Sequence, residues 1–287
     1  MFKLKEKIEV LLGRGKVQQS ETSAASLYAK PRKNPLLKNC SFYHHFDLPG
    51  VGEVGQGWDL RETIDEYLGI TLGVDYQGKR CLDLGAASGF LTFSMEQRGA
   101  EVVSYEMESS NQWNLVPYYD SQFPTAQIKA AMEADHKRIK TSYWFAHRAF
   151  QSSAKMFYGN VYNLPEALGR FDIVMVGMIL PHLRDPFQAL YSASRLCNDT
   201  IVVTQQCPLG EQPYGLFLPN TDKDPDNPES YYAWWVFSEQ CLINMLNVLG
   251  FETVATKRVM HKCSSSSREG QDTYEECSTI VAKRWQS

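Results

Sequence analysis

Long hydrophobic runs, an excess of positive charge and paired cysteines are all missing from this sequence. The N-terminal apolar stretch within MFKLKEKIEVLLGRGK is too short and too charged for a signal peptide or a transmembrane segment. Acidic residues outnumber basic ones, 33 to 29, for a net charge of -4. Proteins that mainly grip a phosphate backbone are usually basic. We therefore expect a cytoplasmic protein whose main partner is not nucleic acid.

The cysteine pattern also argues against a small fold that is stabilised by zinc or by disulfides. There are seven, an odd number, and no two of them form a C-x-x-C pair, which disfavours a zinc site and a disulfide framework. A reducing compartment is the simplest setting for such cysteines. His44 and His45 are adjacent, so their side chains point in different directions and make a poor metal pair. We expect no bound metal.

What the sequence does contain is an alternation of short apolar runs and helical patterns. The short apolar runs that end in small or polar residues are predicted to be strands, and helices are predicted between several of these strands. Alternation of this kind is typical of a parallel sheet covered on both faces. We predict an α/β fold with a doubly wound, mostly parallel, seven-stranded Rossmann-like sheet. Its strands include RCLDLG, EVVSYE, AKMFYG, FDIVMVG and TIVVTQQ, and its helices lie near residues 59–73, 89–98, 186–197 and 237–249.

Two further regions flank or interrupt this core. Residues 1–58 are predicted to form an N-terminal helix and an extended arm, and residues 59–287 the main domain. Insertions are expected at about 124–153 and 207–233. The first could be an extra helical pair with a solvated face, a cap over a substrate or a subunit contact, and the second could be a lid. The last two apolar runs, FETVATKRV and CSTIVAKRW, could pair antiparallel.

The most informative segment is CLDLGAASGF at residues 81–90. A buried strand runs into a turn of small residues and then into a helix, so the backbone can approach a ligand closely. Glu106 ends the next strand, where a carboxylate can accept hydrogen bonds from ribose hydroxyls. The dinucleotide pattern G-x-G-x-x-G is broken at Ala87 and Phe90. Asp83 would repel a phosphate but attract a cationic methionine end, which favours S-adenosylmethionine over NAD.

These residues resemble the class I S-adenosylmethionine-dependent methyltransferases. Residues 82–89 match their first motif, hydrophobic-D-hydrophobic-G-x-G-x-G, except that Ala87 replaces the middle glycine. Residues 159–165 resemble the segment that touches the adenine. Residues 171–190, with an H-L-x-x-P-like element, resemble the group that includes tRNA wobble-uridine methyl- and carboxymethyltransferases, as do residues 234–251. The resemblance covers roughly residues 40–285.

The resemblance implies S-adenosylmethionine as cofactor, S-adenosylhomocysteine as product, and a set of binding residues. Glu106 would hold the ribose, although a solvated strand end is the plainer alternative. Asn160 would meet the adenine or act only as a turn residue, and Met107 would pack on the adenine or belong to the core. The implied cofactor-binding residues are Asp83, Gly85, Ala86, Ser88, Gly89, Glu106, Met107, Asn160, Val161 and Gly177.

The reacting group and the acceptor contacts are less specified by the sequence. His182 follows the fourth strand and is the candidate general base; a histidine with a structural hydrogen bond is the alternative. Arg61 could bind an anionic acceptor or form a solvated ion pair. Trp234 and Trp235 could form a wall beside the acceptor or belong to the core. The candidate substrate-binding residues are Tyr43, His44, Arg61, Trp234 and Trp235.

Three functions are consistent with this sequence. The first is a methyltransferase for a small-molecule acceptor, with transfer to oxygen, which the acidic balance favours. The second is a tRNA-modifying methyl- or carboxymethyltransferase, for which the expected positive charge is missing. The third is a non-catalytic module that binds S-adenosylmethionine, supported only by the missing middle glycine. The oligomeric state is left open.

Overall fold

The computed structural model describes residues 27–109, 125–218, 233–264 and 272–285. The N-terminal helix predicted within residues 1–16 lies outside these ranges. Across the described residues, a central sheet carries helices on both faces, which confirms the predicted doubly wound α/β fold. None of the described helices combines the length and the apolar character needed to span a membrane.

The helices and strands have the following bounds. The strands are β1 (Phe46–Leu48), β2 (Gly52–Val54), β3 (Trp58–Asp59), β4 (Arg80–Leu84), β5 (Glu101–Met107), β6 (Lys155–Gly159), β7 (Phe171–Gly177), β8 (Cys197–Gln205), β9 (Gly215–Phe217), β10 (Trp235–Phe237), β11 (Phe251–Ser264) and β12 (Asp272–Arg284). The α-helices are α1 (Ile64–Tyr67), α2 (Phe90–Glu96), α3 (Thr125–Ala149), α4 (Pro186–Ser194) and α5 (Glu239–Val248).

The main sheet has the strand order β3-β11-β12-β8-β7-β4-β5-β6. The strands from β4 to β8 pair in parallel, and the others join antiparallel. β11 and β12 form the antiparallel pair that was predicted for the last two apolar runs. The sheet has eight strands instead of the predicted seven, because Trp58 and Asp59 at the end of the arm pair with β11 as an edge strand.

Two hydrophobic cores lie on opposite faces of the sheet. Side chains of β4 alternate between them: Cys81 belongs to one core, and Leu82 and Leu84 belong to the other. The arm, α2 and α3 cover the first core, and α4 and α5 cover the second. Strands buried on both faces need apolar residues at successive positions, which explains the uninterrupted apolar runs in the sequence.

Two predicted helical regions differ from the structure. The helix predicted over residues 59–73 contains only α1 and a 3-10 turn at Ile70–Leu72, because Gly69 takes a left-handed conformation with φ of 71° and breaks the helix between them. Within its described part, the first insertion forms the single 25-residue helix α3 instead of a helical pair. The aromatic residues near its end, Tyr143 and Trp144, are buried in the first core.

Candidate functional site

A cavity of about 480 Å³ lies at the carboxyl edge of the parallel strands. β4 lies between β5 and β7 in the sheet. The chain crosses from β4 to β5 in one direction and from β7 to β8 in the opposite direction. Ligands bind at such a switch point in open α/β sheets. Gly85 follows β4, Met107 ends β5 and Gly177 ends β7, and all three line the cavity.

The turn after β4 forms the floor of the cavity. Gly85 has φ of 93°, and a Cβ atom built there would lie 3.0 Å from Cδ1 of Ile179. Ala87, at the position of the missing glycine, also takes a left-handed conformation with φ of 47°. Its N–H donates to Oε2 of Glu106 at 2.9 Å. The turn therefore keeps the conformation that glycine would favour, although an alanine occupies the middle position.

Glu106 is the main charged group of the cavity and is buried. Its Oε1 accepts the N–H of Met107 at 2.9 Å and lies 3.4 Å from Nε2 of His136 on α3. Burial works to raise the pKa of Glu106, but His136 and the N–H groups of Met107 and Ala87 outweigh it and hold that pKa below its ordinary value. The carboxylate is therefore ionised and oriented, as an acceptor for ribose hydroxyls should be.

Asp83 lies behind the turn and does not line the cavity. Its Oδ2 accepts the hydroxyl of Thr92 at 2.5 Å, and Thr92 is 2.8 Å from the hydroxyl of Ser104, which is 2.8 Å from that of Tyr143. Burial raises the pKa of Asp83 to about 7. Asp83 thus anchors the turn through α2 and α3, and its side chain does not face the cavity in which the resemblance would place the methionine end of a cofactor.

Ser88 and Gly89 also support the turn from behind and do not line the cavity. The hydroxyl of Ser88 accepts the N–H of Tyr43 at 3.2 Å, which ties the arm to the turn. Gly89 has φ of 93° and precedes α2, and a Cβ there would approach Phe93 to 2.5 Å. Both residues shape the binding turn from outside the cavity.

The end of the cavity beside β5 and β6 contains the segment that the resemblance in the sequence assigns to adenine binding. Met107, Asn160, Val161 and Tyr162 line it. Oδ1 of Asn160 accepts the N–H of Tyr162 at 3.0 Å and caps the 3-10 turn Val161–Asn163. Asn160 is therefore a turn residue, as the plainer alternative held, and it also faces the cavity.

The opposite end of the cavity is mainly aromatic. Tyr43, His44, Trp58 and Tyr67 line it. His182, from the 3-10 turn after β7, lines the same cavity. A Cβ at Gly177 would lie 3.1 Å from the hydroxyl oxygen of Tyr67, so this glycine leaves room for the phenol. The predicted residues Tyr43, His44 and His182 therefore line the same cavity.

Arg61 lies outside the cavity, contrary to its predicted role as an acceptor contact. Its guanidinium contacts Asp59 at 2.8 Å, Asp47 at 2.9 Å and Glu53 at 3.0 Å. The hydrogen bond and charge of Arg61 hold the pKa of Asp59 below its ordinary value. The plainer alternative, an ion pair, describes Arg61, because three carboxylates already surround its charge.

Trp234 and Trp235 do not line the cavity either. Trp234 stacks on Phe217 with ring centroids 6.0 Å apart, and Nε1 of Trp235 donates to the carbonyl of Arg184 at 3.2 Å. The N–H of Trp234 donates to the carbonyl of Pro181 at 2.7 Å. The two tryptophans thus hold the β9–β10 hairpin against the turn that carries His182, and they do not wall the cavity.

Sequence reasoning missed several lining residues. Ala131, Met132, Asp135, His136 and Ile139 lie on one face of α3 and line the cavity. The spacing of these positions is helical, but the sequence offered no sign of which face would turn toward a ligand. Trp58 and Tyr67 also line the cavity, although no signal in the sequence separates them from aromatic residues of the core.

No family model and no curated protein matches this sequence. Solved structures do resemble the fold. A candidate methyltransferase from Bacillus halodurans is 11% identical with a TM-score of 0.53, and the match covers 78% of this chain and 100% of that chain. The N-terminal domain of EvdMO1, solved with S-adenosylhomocysteine and D-fucose, is 19% identical with a TM-score of 0.50 and covers 84% and 90%.

A third structure, an S-adenosylmethionine-dependent methyltransferase from Methanosarcina mazei, is 13% identical with a TM-score of 0.50 and covers 76% of this chain and 97% of that chain. At these identities the likeness shows the fold, which is that of the class I methyltransferases. The finer resemblance to the tRNA wobble-uridine group is not singled out by these structures.

Proposed function

We propose that this protein is an S-adenosylmethionine-dependent methyltransferase that methylates a small-molecule acceptor at oxygen and releases S-adenosylhomocysteine. The observation that carries the proposal is the buried Glu106, held by His136 and by the N–H groups of Met107 and Ala87 beside the turn of Gly85, Ala86 and Ala87. A fixed carboxylate suits the two ribose hydroxyls, and a turn of small residues lets the backbone approach the methionine end.

The other lining residues fit the same cofactor. Met107, Asn160 and Val161 would surround the adenine, with the side-chain amide of Asn160 available for a polar edge. When bound, the cofactor supplies a methyl group on a positively charged sulfur. S-adenosylhomocysteine is bound in the EvdMO1 domain, whose fold is similar. A carboxymethyl donor would require a cation near the sulfur, and the described residues that line the cavity include neither lysine nor arginine.

His182 is the proposed general base for the acceptor. Its half-buried side chain follows β7 and lines the same cavity as the aromatic residues. An acceptor hydroxyl loses its proton as its oxygen becomes bonded to the methyl carbon, and an imidazole close to that oxygen can take the proton. The walls of the cavity would supply the remaining contribution by holding donor and acceptor in line.

Calorimetric titration with S-adenosylmethionine, S-adenosylhomocysteine and NAD tests the cofactor. We expect micromolar dissociation constants for both adenosyl compounds and no binding of NAD, because Ala87 and Phe90 break the dinucleotide pattern and the described lining residues include no lysine or arginine to meet a pyrophosphate. Binding of NAD alone, or of none of the three, would contradict the proposal. Slow turnover of the bound donor would separate an enzyme from a binding module.

Replacing His182 with alanine tests the base. We expect turnover to fall by roughly 10²–10⁴-fold while the affinity for S-adenosylhomocysteine stays within about twofold, since general-base catalysis contributes on that scale. The matched control is His147→Ala, which removes a histidine that contacts the carbonyl of Ala154 outside the cavity. Unchanged turnover in His182→Ala would remove this residue from the mechanism.

A further inference from the structure

The aromatic end of the cavity has a composition that selects among acceptors. We define the aromatic chamber as Tyr43, His44, Trp58 and Tyr67, closed by Leu91 and Met178; all six line the cavity. We infer that its occupant is an uncharged, flat aromatic compound with a hydroxyl group, a phenol in chemical class, and that His44 positions that hydroxyl. This inference rests on the proposed methyl transfer and names the acceptor that it requires.

The chamber is held in place by its own hydrogen bonds. The N–H of His45 donates to the carbonyl of Trp58 at 2.9 Å, and His44 and Trp58 form a parallel bridge. Gly55 has φ of 120°, and a Cβ there would lie 2.1 Å from the carbonyl oxygen of His44, so only glycine allows this packing. The His44 ring stacks on Phe90 with centroids 5.6 Å apart. The chamber is therefore formed before any acceptor enters.

The shape and chemistry of the chamber favour a flat ring. Tyr43 and His44 meet edge to face, with ring centroids 4.9 Å apart and planes 86° apart. Trp58 and Tyr67 add two more aromatic faces, and aromatic pairs of this kind gain stability beyond the area that they bury. A polyol would need many hydrogen-bond partners in the same space, and four of the six chamber residues are aromatic or imidazole rings.

Electrostatics disfavour an anionic acceptor. Glu106 and Asp135 line the cavity, whereas no lysine or arginine does so among the described residues. Three basic side chains on neighbouring segments are engaged elsewhere: Arg61 by three carboxylates, Arg138 by the carbonyl of Cys40, and Lys140 by the carbonyl of Glu108. A phosphate or carboxylate on the acceptor would therefore be desolvated beside negative side chains, with no positive side chain among the described lining residues.

His44 supplies hydrogen-bonding capacity inside this apolar space. Its ring lines the cavity, and its Nδ1 is shielded and has no hydrogen-bond partner among the described residues, so Nε2 is the nitrogen that would meet the hydroxyl. Burial lowers the pKa of His44 to about 3, so the imidazole is neutral at physiological pH. A neutral imidazole offers one donor and one acceptor nitrogen. Because it resists protonation, His44 suits orientation of the hydroxyl and leaves proton removal to His182.

The test uses three probes of known chemistry on the protein saturated with S-adenosylhomocysteine. These are 2-naphthol, the similarly shaped anion 2-naphthoate, and methyl glucoside as a polyol, with binding followed by calorimetry. We expect 2-naphthol to bind at least tenfold more tightly than either of the others. Equal or tighter binding of 2-naphthoate, preference for the glucoside, or no binding of 2-naphthol would overturn the inference.

A variant separates the role of His44 from the general shape of the chamber. In His44→Phe the ring remains but its nitrogens are lost, so the affinity for 2-naphthol should fall about tenfold while that for naphthalene is unchanged. Tyr67→Leu, which keeps His44, should weaken both ligands. If His44→Phe unfolds, Tyr67→Leu still tests the aromatic chamber, and unchanged binding there overturns it.

The binding of S-adenosylhomocysteine, measured in the same experiment, keeps the two proposals distinguishable. Failure of the wild-type protein to bind S-adenosylhomocysteine would contradict the proposed function itself. Normal binding of S-adenosylhomocysteine without the expected preference among the three probes would overturn only the assignment of the acceptor class.

Discussion

Ala87 shows how a single residue can depart from a motif without destroying the site. Its left-handed backbone and its hydrogen bond to Glu106 reproduce what glycine would provide at that position. The strain of a left-handed alanine is of order 1 kcal/mol and must be offset by the surrounding contacts. The missing glycine therefore gives no support to a degenerate, non-binding turn.

Gly85 is the residue at which a side chain should be least tolerated. In Gly85→Val the branched side chain would meet Ile179 and would force φ of 93° on a β-branched residue. We expect loss of S-adenosylhomocysteine binding with the fold retained, measured by calorimetry and circular dichroism. The matched control, Ala87→Gly, should keep its affinity. Unchanged affinity in Gly85→Val would remove this turn from the proposed site.

Asp83 predicts a pH dependence of stability. Its folded-state pKa of about 7 lies above the ordinary value, so between about pH 4 and pH 7 the native state holds a proton that the unfolded state has released. The stability associated with that proton is present at low pH and is lost as pH rises through this window, at up to about 1.4 kcal/mol per pH unit.

The substitution Asp83→Asn should remove this contribution while keeping an oxygen for the hydroxyl of Thr92. We expect the variant to gain stability relative to the wild type as pH rises from 5 to 7, measured by urea unfolding at both pH values. A stability difference that is the same at both pH values would show that Asp83 does not titrate in this range.

At the scale of elements, α3 links the cavity to the first core. One of its faces lines the cavity through residues such as Asp135 and His136, while Tyr143 and Trp144 anchor its last turns. A helix anchored in the core can hold His136 against Glu106 with little loss of entropy on ligand binding. The insertion thus forms a wall of the site, close to the cap that was one of the sequence-based alternatives.

His136→Asn tests whether this wall contributes to binding. Without the imidazole, burial raises the pKa of Glu106 against less opposition, so a larger fraction of the carboxyl group is protonated. The ribose hydroxyls then have a weaker acceptor. We expect about tenfold weaker binding of S-adenosylhomocysteine at pH 7, measured by calorimetry. The control Lys137→Ala changes an exposed neighbour on the same helix. Equal affinity in both variants would reduce α3 to a packing element.

At the scale of the whole molecule, ligand binding and folding are linked. The cavity draws on the arm, on the ends of β4, β5 and β7, and on α3, so it exists only in the folded chain. S-adenosylhomocysteine at about 100 times its dissociation constant should raise the free energy of unfolding by roughly 2.7 kcal/mol. Denaturant titrations with and without the ligand measure this. NAD at the same concentration should have no effect, and equal stabilisation by both would contradict the cofactor assignment.

The sequence alone determined the parallel sheet and the position of the small-residue turn after β4. These features are local or repetitive: buried strands require continuous apolar runs, and the turn after β4 requires small residues at successive positions. Residues 81–90 and Glu106 could therefore be assigned from spacing, and the alternating strands determined that both would meet at one edge.

Only the tertiary structure decided what surrounds that edge. Arg61 and Trp234 could not be distinguished from Tyr67 and His136 in the sequence, because each is a polar or aromatic residue with no local signal of what it faces. Their positions depend on contacts between segments far apart in the chain, such as Asp59 with β11 or His136 with Glu106. Packing of this kind decides whether a side chain faces a cavity or forms an ion pair, and no local sequence pattern predicts which of the two will occur.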